Sequence, residues 1–107
     1  MAFTIKQGDT SPLILATLED ADGNAVDITG ASVRLHLRPY GSAETYLDVA
    51  ASIVTPASGL VRYQWSEGDT DTPGVYEAEF EVTYDGGAIE TFPNAGYRII
   101  EIVRQIA

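Results

Sequence analysis

The chain's 107 residues carry 16 acids against 6 bases, a formal net charge of −10, with 45% hydrophobic and 21% charged residues and no cysteine. These totals describe one small folded domain, residues 1–107, and exclude disulfide, thiolate and zinc–thiolate chemistry. So acidic a surface repels nucleic-acid backbones and anionic lipid; no apolar run reaches the ~18 residues of a membrane span, and the start, MAFTIKQGDT, lacks the apolar core of a signal peptide.

In chain order, Phe3–Lys6 predicts a short edge strand, followed by the polar segment Lys6–Pro12 (KQGDTSP). Leu13–Glu19 (LILATLE) is almost continuously apolar, as a strand covered on both faces would be. Two turns follow, Asp20–Asn24 (DADGN) and Asp27–Gly30 (DITG), each supplying a glycine for a positive φ. In Ala31–Arg38, Val33, Leu35 and Leu37 point one way and Arg34, His36 and Arg38 the other. Leu47–Val54 alternates Leu47, Val49, Ala51 and Ile53 with Asp48, Ala50 and Ser52. Thr55–Gly59 (TPASG) predicts a hairpin into Leu60–Ser66, where Val61, Tyr63 and Trp65 form the apolar side.

Asp71–Gly74 (DTPG) suits a type II turn. Beyond it, Val75–Tyr84 keeps strict alternation: Tyr76, Ala78, Phe80, Val82 and Tyr84 against Glu77, Glu79 and Glu81. Asp85–Gly87 (DGG) predicts a tight hairpin into Ala88–Phe92, Pro93–Gly96 (PNAG) another turn, and Tyr97–Val103 the last strand. In that strand Ile99 and Ile100 are adjacent and both apolar, so period two does not choose its inward face. No segment holds helical periodicity. The chain therefore reads as all-β, an immunoglobulin-like β-sandwich of seven or eight mostly antiparallel strands.

Two period-two rows of opposite charge stand out: Arg34, His36 and Arg38 on one strand, Glu77, Glu79 and Glu81 on another. Their matched spacing predicts that the two strands pair with these rows facing on the outer surface. Tyr76, soon after the turn, fits a tyrosine corner, in which the hydroxyl bonds upstream backbone. Trp65, the only tryptophan, reads as a core residue.

Catalytic constellations find little support. His36 is the only histidine, lies on the outer face of a regular strand, and has no G-x-S-x-G partner, so it reads as an exposed strand residue. Glu77 and Glu79 have a spacing usable by a glycosidase pair, but a flat sheet face gives no desolvated cleft to separate their pKa values. Asp20-Ala-Asp22-Gly-Asn24 begins like a calcium loop, yet Ala25 replaces the position-six glycine and Ala31 the position-twelve glutamate. Asp69 and Asp71 form a second acidic loop, and both loops read as hairpin turns. No catalytic residue, cofactor or metal is expected.

Taken together, FTIKQGDTSPL at 3–13, DADGNAVDITGASVRLHLR at 20–38, GLVRYQW at 59–65, DTDTPGVYEAEFEVTY at 69–84 and TFPNAGYRIIEI at 91–102 resemble the immunoglobulin-like N-terminal domain of bacteriophage baseplate upper proteins. The order and spacing of these stretches carry the resemblance. It implies a rigid adaptor at the tail tip or another virion surface, docking on a ring of core baseplate proteins and carrying a receptor-binding or fibre module.

The chain starts at methionine and stops just after the last strand, so the expectation is a free-standing accessory protein of head, neck or tail, or a piece of a longer one. The function expected is that of a non-enzymatic virion structural protein, assembled in the host cytoplasm and acting by protein–protein docking. Its partners are other phage structural proteins or further copies of itself, with no nucleic acid and no membrane. The alternatives are a carbohydrate-binding or adhesion module and a head or neck decoration protein. Two patches are the expected interface: Lys6, Gln7 and Asp9 in the polar segment, and Phe92, Pro93, Asn94 and Tyr97 at the turn, where aromatics flank a proline and a glycine.

Overall fold

A computed structural model describes residues 3–107. Eight strands form in chain order: β1 (Phe3–Lys6), β2 (Ile14–Thr17), β3 (Ser32–Pro39), β4 (Leu47–Thr55), β5 (Leu60–Tyr63), β6 (Gly74–Thr83), β7 (Ile89–Phe92) and β8 (Arg98–Val103). Helical structure among the described residues is confined to one 3-10 turn, Pro56–Ser58.

β6, the ten-residue alternating run, is the hub. One edge pairs with all of β3 over Tyr76–Thr83, and the other is shared, β8 taking Gly74–Ala78 and β7 taking Phe80–Thr83. β4 joins the two layers. Its first half, Leu47–Ala51, pairs with β3, and its second half, Ser52–Thr55, pairs with β5 through a bulge between Ile53 and Thr55. Such a bulge bends a strand and lets it serve two layers. The hydrogen-bonded path runs β1-β8-β6-β3-β4-β5-β2, with β7 attached beside it on β6. Every ladder is antiparallel except β1 on β8. The result is the expected all-β sandwich, curled almost into a barrel.

One core fills the curl. It draws Ile5 from β1, Ile14 from β2, Val33, Leu35 and Leu37 from β3, Val61 and Tyr63 from β5, Tyr76, Ala78, Phe80 and Val82 from β6, Phe92 from β7, and Ile100 and Ile102 from β8. The last pair answers the question the sequence left open, because Ile99 lies on the outer side of β8 and is only half-buried. Ile28, fully buried, plugs one end from the loop after β2. That loop is pinned where Val26 N–H donates to Leu18 O and Ile28 N–H to Pro56 O.

Two local expectations need correction. Leu13–Glu19 is not covered on both faces. Its strand β2 ends the sheet, pairs with β5 alone, and leaves Leu15 60% exposed. Asp71–Gly74 is not a hydrogen-bonded turn. The backbone closes earlier, with Asp69 N–H on Ser66 O and Asp71 N–H on Gly68 O, and Gly74 already belongs to β6. The Asp69 side chain explains the shift, since its Oδ2 accepts the Ser66 N–H and the Tyr63 hydroxyl and anchors the turn to β5.

Candidate docking surfaces

On the outer face of β3 and β6 the antiparallel register sets Arg34 opposite Glu81, His36 opposite Glu79 and Arg38 opposite Glu77. Two of these facing pairs touch. Arg38 Nε donates to Glu77 Oε1 at 2.9 Å, and His36 Nδ1 lies 3.2 Å from Glu79 Oε2. Arg34 turns away from Glu81 to the neighbouring strand on its other side. Its Nε donates to Asp48 Oδ1 at 2.7 Å and its Nη2 to Asp48 O at 3.0 Å. The cause lies in the order of strands: β3 is flanked by β4 as well as β6, so each outward base can choose between two strands of acids.

Asp48 Oδ1 also lies 3.3 Å from His36 Nε2, so the imidazole is held between two carboxylates. The Arg34 guanidinium, with His36 beyond it, holds the Asp48 carboxyl below the usual carboxylate range. Nor is the acidic row fully exposed: the Glu77 side chain retains 12% of its accessible surface. The Tyr97 ring lies over the Arg38 guanidinium, 4.6 Å from its centroid to Cζ. A shallow depression of about 200 Å³ lies among His36, Arg38, Asp48, Glu77, Glu79 and Tyr97. Each base there is already bonded to a carboxylate, which suits a rigid contact surface better than an acid–base pair.

A double-mutant cycle with Arg38→Ala and Glu77→Ala should return a favourable coupling that shrinks in high salt. The pair Arg34 and Glu81 should return none, despite its facing register. Urea unfolding of the single and double variants measures both couplings.

The first expected interface patch is largely engaged within the domain. Gln7 Nε2 donates to Asp71 O and its Oε1 accepts Gln105 N–H, while Asp9 O accepts the hydroxyl of buried Thr70. Lys6 is exposed. In the second patch Phe92 is corrected from a surface anchor to a core residue, 2% exposed, because its place opposite Phe80 points it inward. Pro93 is half-buried, and Asn94 folds back so that Nδ2 donates to Glu90 Oε2 and Thr91 O. Tyr97 is 47% exposed. Tyr40, 69% exposed just beyond β3, was not singled out from sequence; its place two residues past Arg38, on the same side by alternation, was the available signal.

Trp65 is 3% exposed, with Tyr63 edge-on at 5.5 Å and Phe3 at 6.1 Å, so its ring offers no face to a sugar. The Tyr76 hydroxyl donates to Thr72 O at 2.7 Å, tying β6 to the loop before it. Asp20 Oδ1 accepts Asp22 N–H and Asn24 N–H, closing its own turn. Among the described residues, no three His, Cys, Asp or Glu side chains converge as metal ligands.

Burial first, and then neighbouring oxygens, push three tyrosines up to about 12 from 10.0: Tyr63 beside Asp69, Tyr76 beside Tyr46 and Tyr84 beside Glu90. In the unfolded chain these phenols ionise near 10. Their contribution to stability is thus intact below about pH 10 and lost as pH rises towards 12. The melting temperature should fall across that window in step with tyrosinate absorbance. Ionisation of Tyr63, Tyr76 and Tyr84 near pH 10 without loss of fold would contradict this.

Comparison with known proteins places the arrangement. No curated protein matches the chain. A solved structure described as the N-terminal domain of phage TP901-1 ORF48 superposes with a TM-score of 0.67 at 16% identity, covering 98% of this chain and 85% of that one. The family model for the BppU N-terminal domain matches residues 2–92, from before β1 to the end of β7. With most of its length matched by that model, the chain belongs to the BppU N-terminal domain family, a phage baseplate structural domain.

Proposed function

We propose that this domain is a non-enzymatic docking adaptor of the phage tail baseplate, and that it holds neighbouring structural proteins through the outer face of β3, β6 and the start of β8. The observation that carries this reading is Tyr97, 47% exposed and stacked on an Arg38 that Glu77 already holds in place. Tyrosine and arginine dominate binding energy at protein interfaces, and a side chain fixed before contact loses little entropy on binding. Tyr40, just past the end of β3, adds a second exposed ring. The acidic remainder of the surface favours a partner with a neutral or basic face.

Tyr97→Ala combined with Tyr40→Ala should leave the melting temperature within about 3 °C, since both side chains are exposed. Their loss should lower incorporation into virions at least about tenfold, as expected for a lost interface anchor. The measurement is quantitative mass spectrometry of purified particles from a phage supplied with each variant. Lys6→Ala is the control and should incorporate normally. Full incorporation of the double variant would refute the outer face as the contact.

A further inference from the structure

The strand path leaves one seam. β2 ends the sheet on one side, and across from it stand β7 and the turn that leads into β8. A groove of about 340 Å³ runs between them, with Ala16–Ala21 on one wall, Pro93–Ala95 on the other and Phe80 and Phe92 in its floor.

The backbone along β2 is free to pair. Leu18 N–H donates to Gly59 O, so in this antiparallel ladder the residues directed at β5 are Leu18, Ala16 and Ile14. Leu15 and Thr17 therefore turn their N–H and C=O groups outward. Edge strands of natural domains are usually defended by charge, proline or a bulge. β1 carries Lys6 and β7 carries Glu90, whereas β2 reads ILAT, with none of these. Beyond its end stand Glu19 and Asp20, both lining the groove, with Arg98 the one base there.

We infer that this seam is a second docking site, which receives an extended segment of a partner protein added as a strand to β2. The segment has alternate apolar side chains, placed over the Phe80 and Phe92 floor, and a lysine or arginine where it reaches Glu19 and Asp20. Strand addition draws affinity from main-chain hydrogen bonds and specificity from alternate side chains, and both parts are in place here. The net charge of −10 selects a basic segment over a second copy of this acidic chain. This goes beyond the outer-face contact and uses none of Arg38, Tyr40 and Tyr97, so either can fail without the other.

The test uses the full chain and a synthetic heptapeptide of alternating valine and threonine with lysine at each end, followed by amide hydrogen exchange. Without peptide, the Leu15 and Thr17 amides should exchange freely. At saturating peptide they should slow at least about tenfold, with resonances of Arg38 and Tyr97 unmoved. Leu15→Pro removes an outward N–H that the fold does not use, a position at which edge strands accept proline. It should abolish protection at Thr17. Should that variant fail to fold, Glu19→Lys serves instead and should weaken the peptide about threefold while raising affinity for the same peptide with glutamates at its ends. Absence of protection at about millimolar peptide, or protection confined to other strands, would overturn the inference. Protection that grows with protein concentration in the absence of peptide would also overturn it, by making the occupant a second copy.

Discussion

Replacing Gly59 with alanine should destabilise the domain by about 2–4 kcal/mol, the sum of left-handed backbone strain and overpacking. Gly59 ends the 3-10 turn between β4 and β5 with φ at 67°. A Cβ there would stand 2.7 Å from Val26 O and 2.9 Å from Leu18 O. Neither carbonyl can yield easily. Leu18 O accepts Val26 N–H at 3.0 Å, and Leu18 N–H donates to Gly59 O at 2.9 Å. Any shift therefore disturbs β2, the 20–28 loop and the β4–β5 turn together. Gly86→Ala is the matched control: its φ is 101°, but its Cβ would meet open space. Thermal unfolding should show a fall of at least about 8 °C for Gly59→Ala and clearly less for Gly86→Ala. Equal losses would mean that backbone strain alone, without the close packing, sets the cost.

Leu35→Ala should cost roughly 2–5 kcal/mol, as expected for a large buried side chain whose cavity cannot collapse. Leu35 is fully buried and stands opposite Phe80 on β6 and Val49 on β4. Its neighbour Arg34, with 47% of its side chain exposed, should cost below about 1 kcal/mol when cut to alanine, because its partner Asp48 is 51% exposed and well solvated. Denaturant midpoints of the two variants separate the faces of β3 at adjacent positions. A slip of one residue would exchange the two costs, since period two leaves no intermediate register.

Much of the fold was legible because most strands here are half-buried. Alternation marks such strands directly, and in β6 it runs unbroken from Tyr76 to Val82. The facing of β3 with β6 was legible from charge, since two rows with the same spacing and opposite sign fit one register. What was not legible depended on neighbours. Leu13–Glu19 is apolar enough for a central strand, yet it lies at an edge, because sequence does not report how many strands flank a run. Arg34 could not be assigned to Asp48 from its own strand, since the choice between β4 and β6 is made only when both are present. Phe92 had the composition of an interface anchor, but its parity on the short strand β7 placed it in the core. In Asp69 a turn residue proved to be an internal acceptor for Tyr63, a contact across 6 positions that no local pattern encodes.

Docking of this phage baseplate family member through the outer face around Arg38 and Tyr97, as proposed, is open to direct observation. Cryo-electron microscopy of virions that contain the chain tests it most directly. The domain should stand at the tail tip with the Tyr97 and Tyr40 rings against a neighbouring subunit and the Arg38–Glu77 pair enclosed in the contact. A particle in which the domain lies elsewhere, or in which that face looks into solvent while another surface carries the contact, would contradict it.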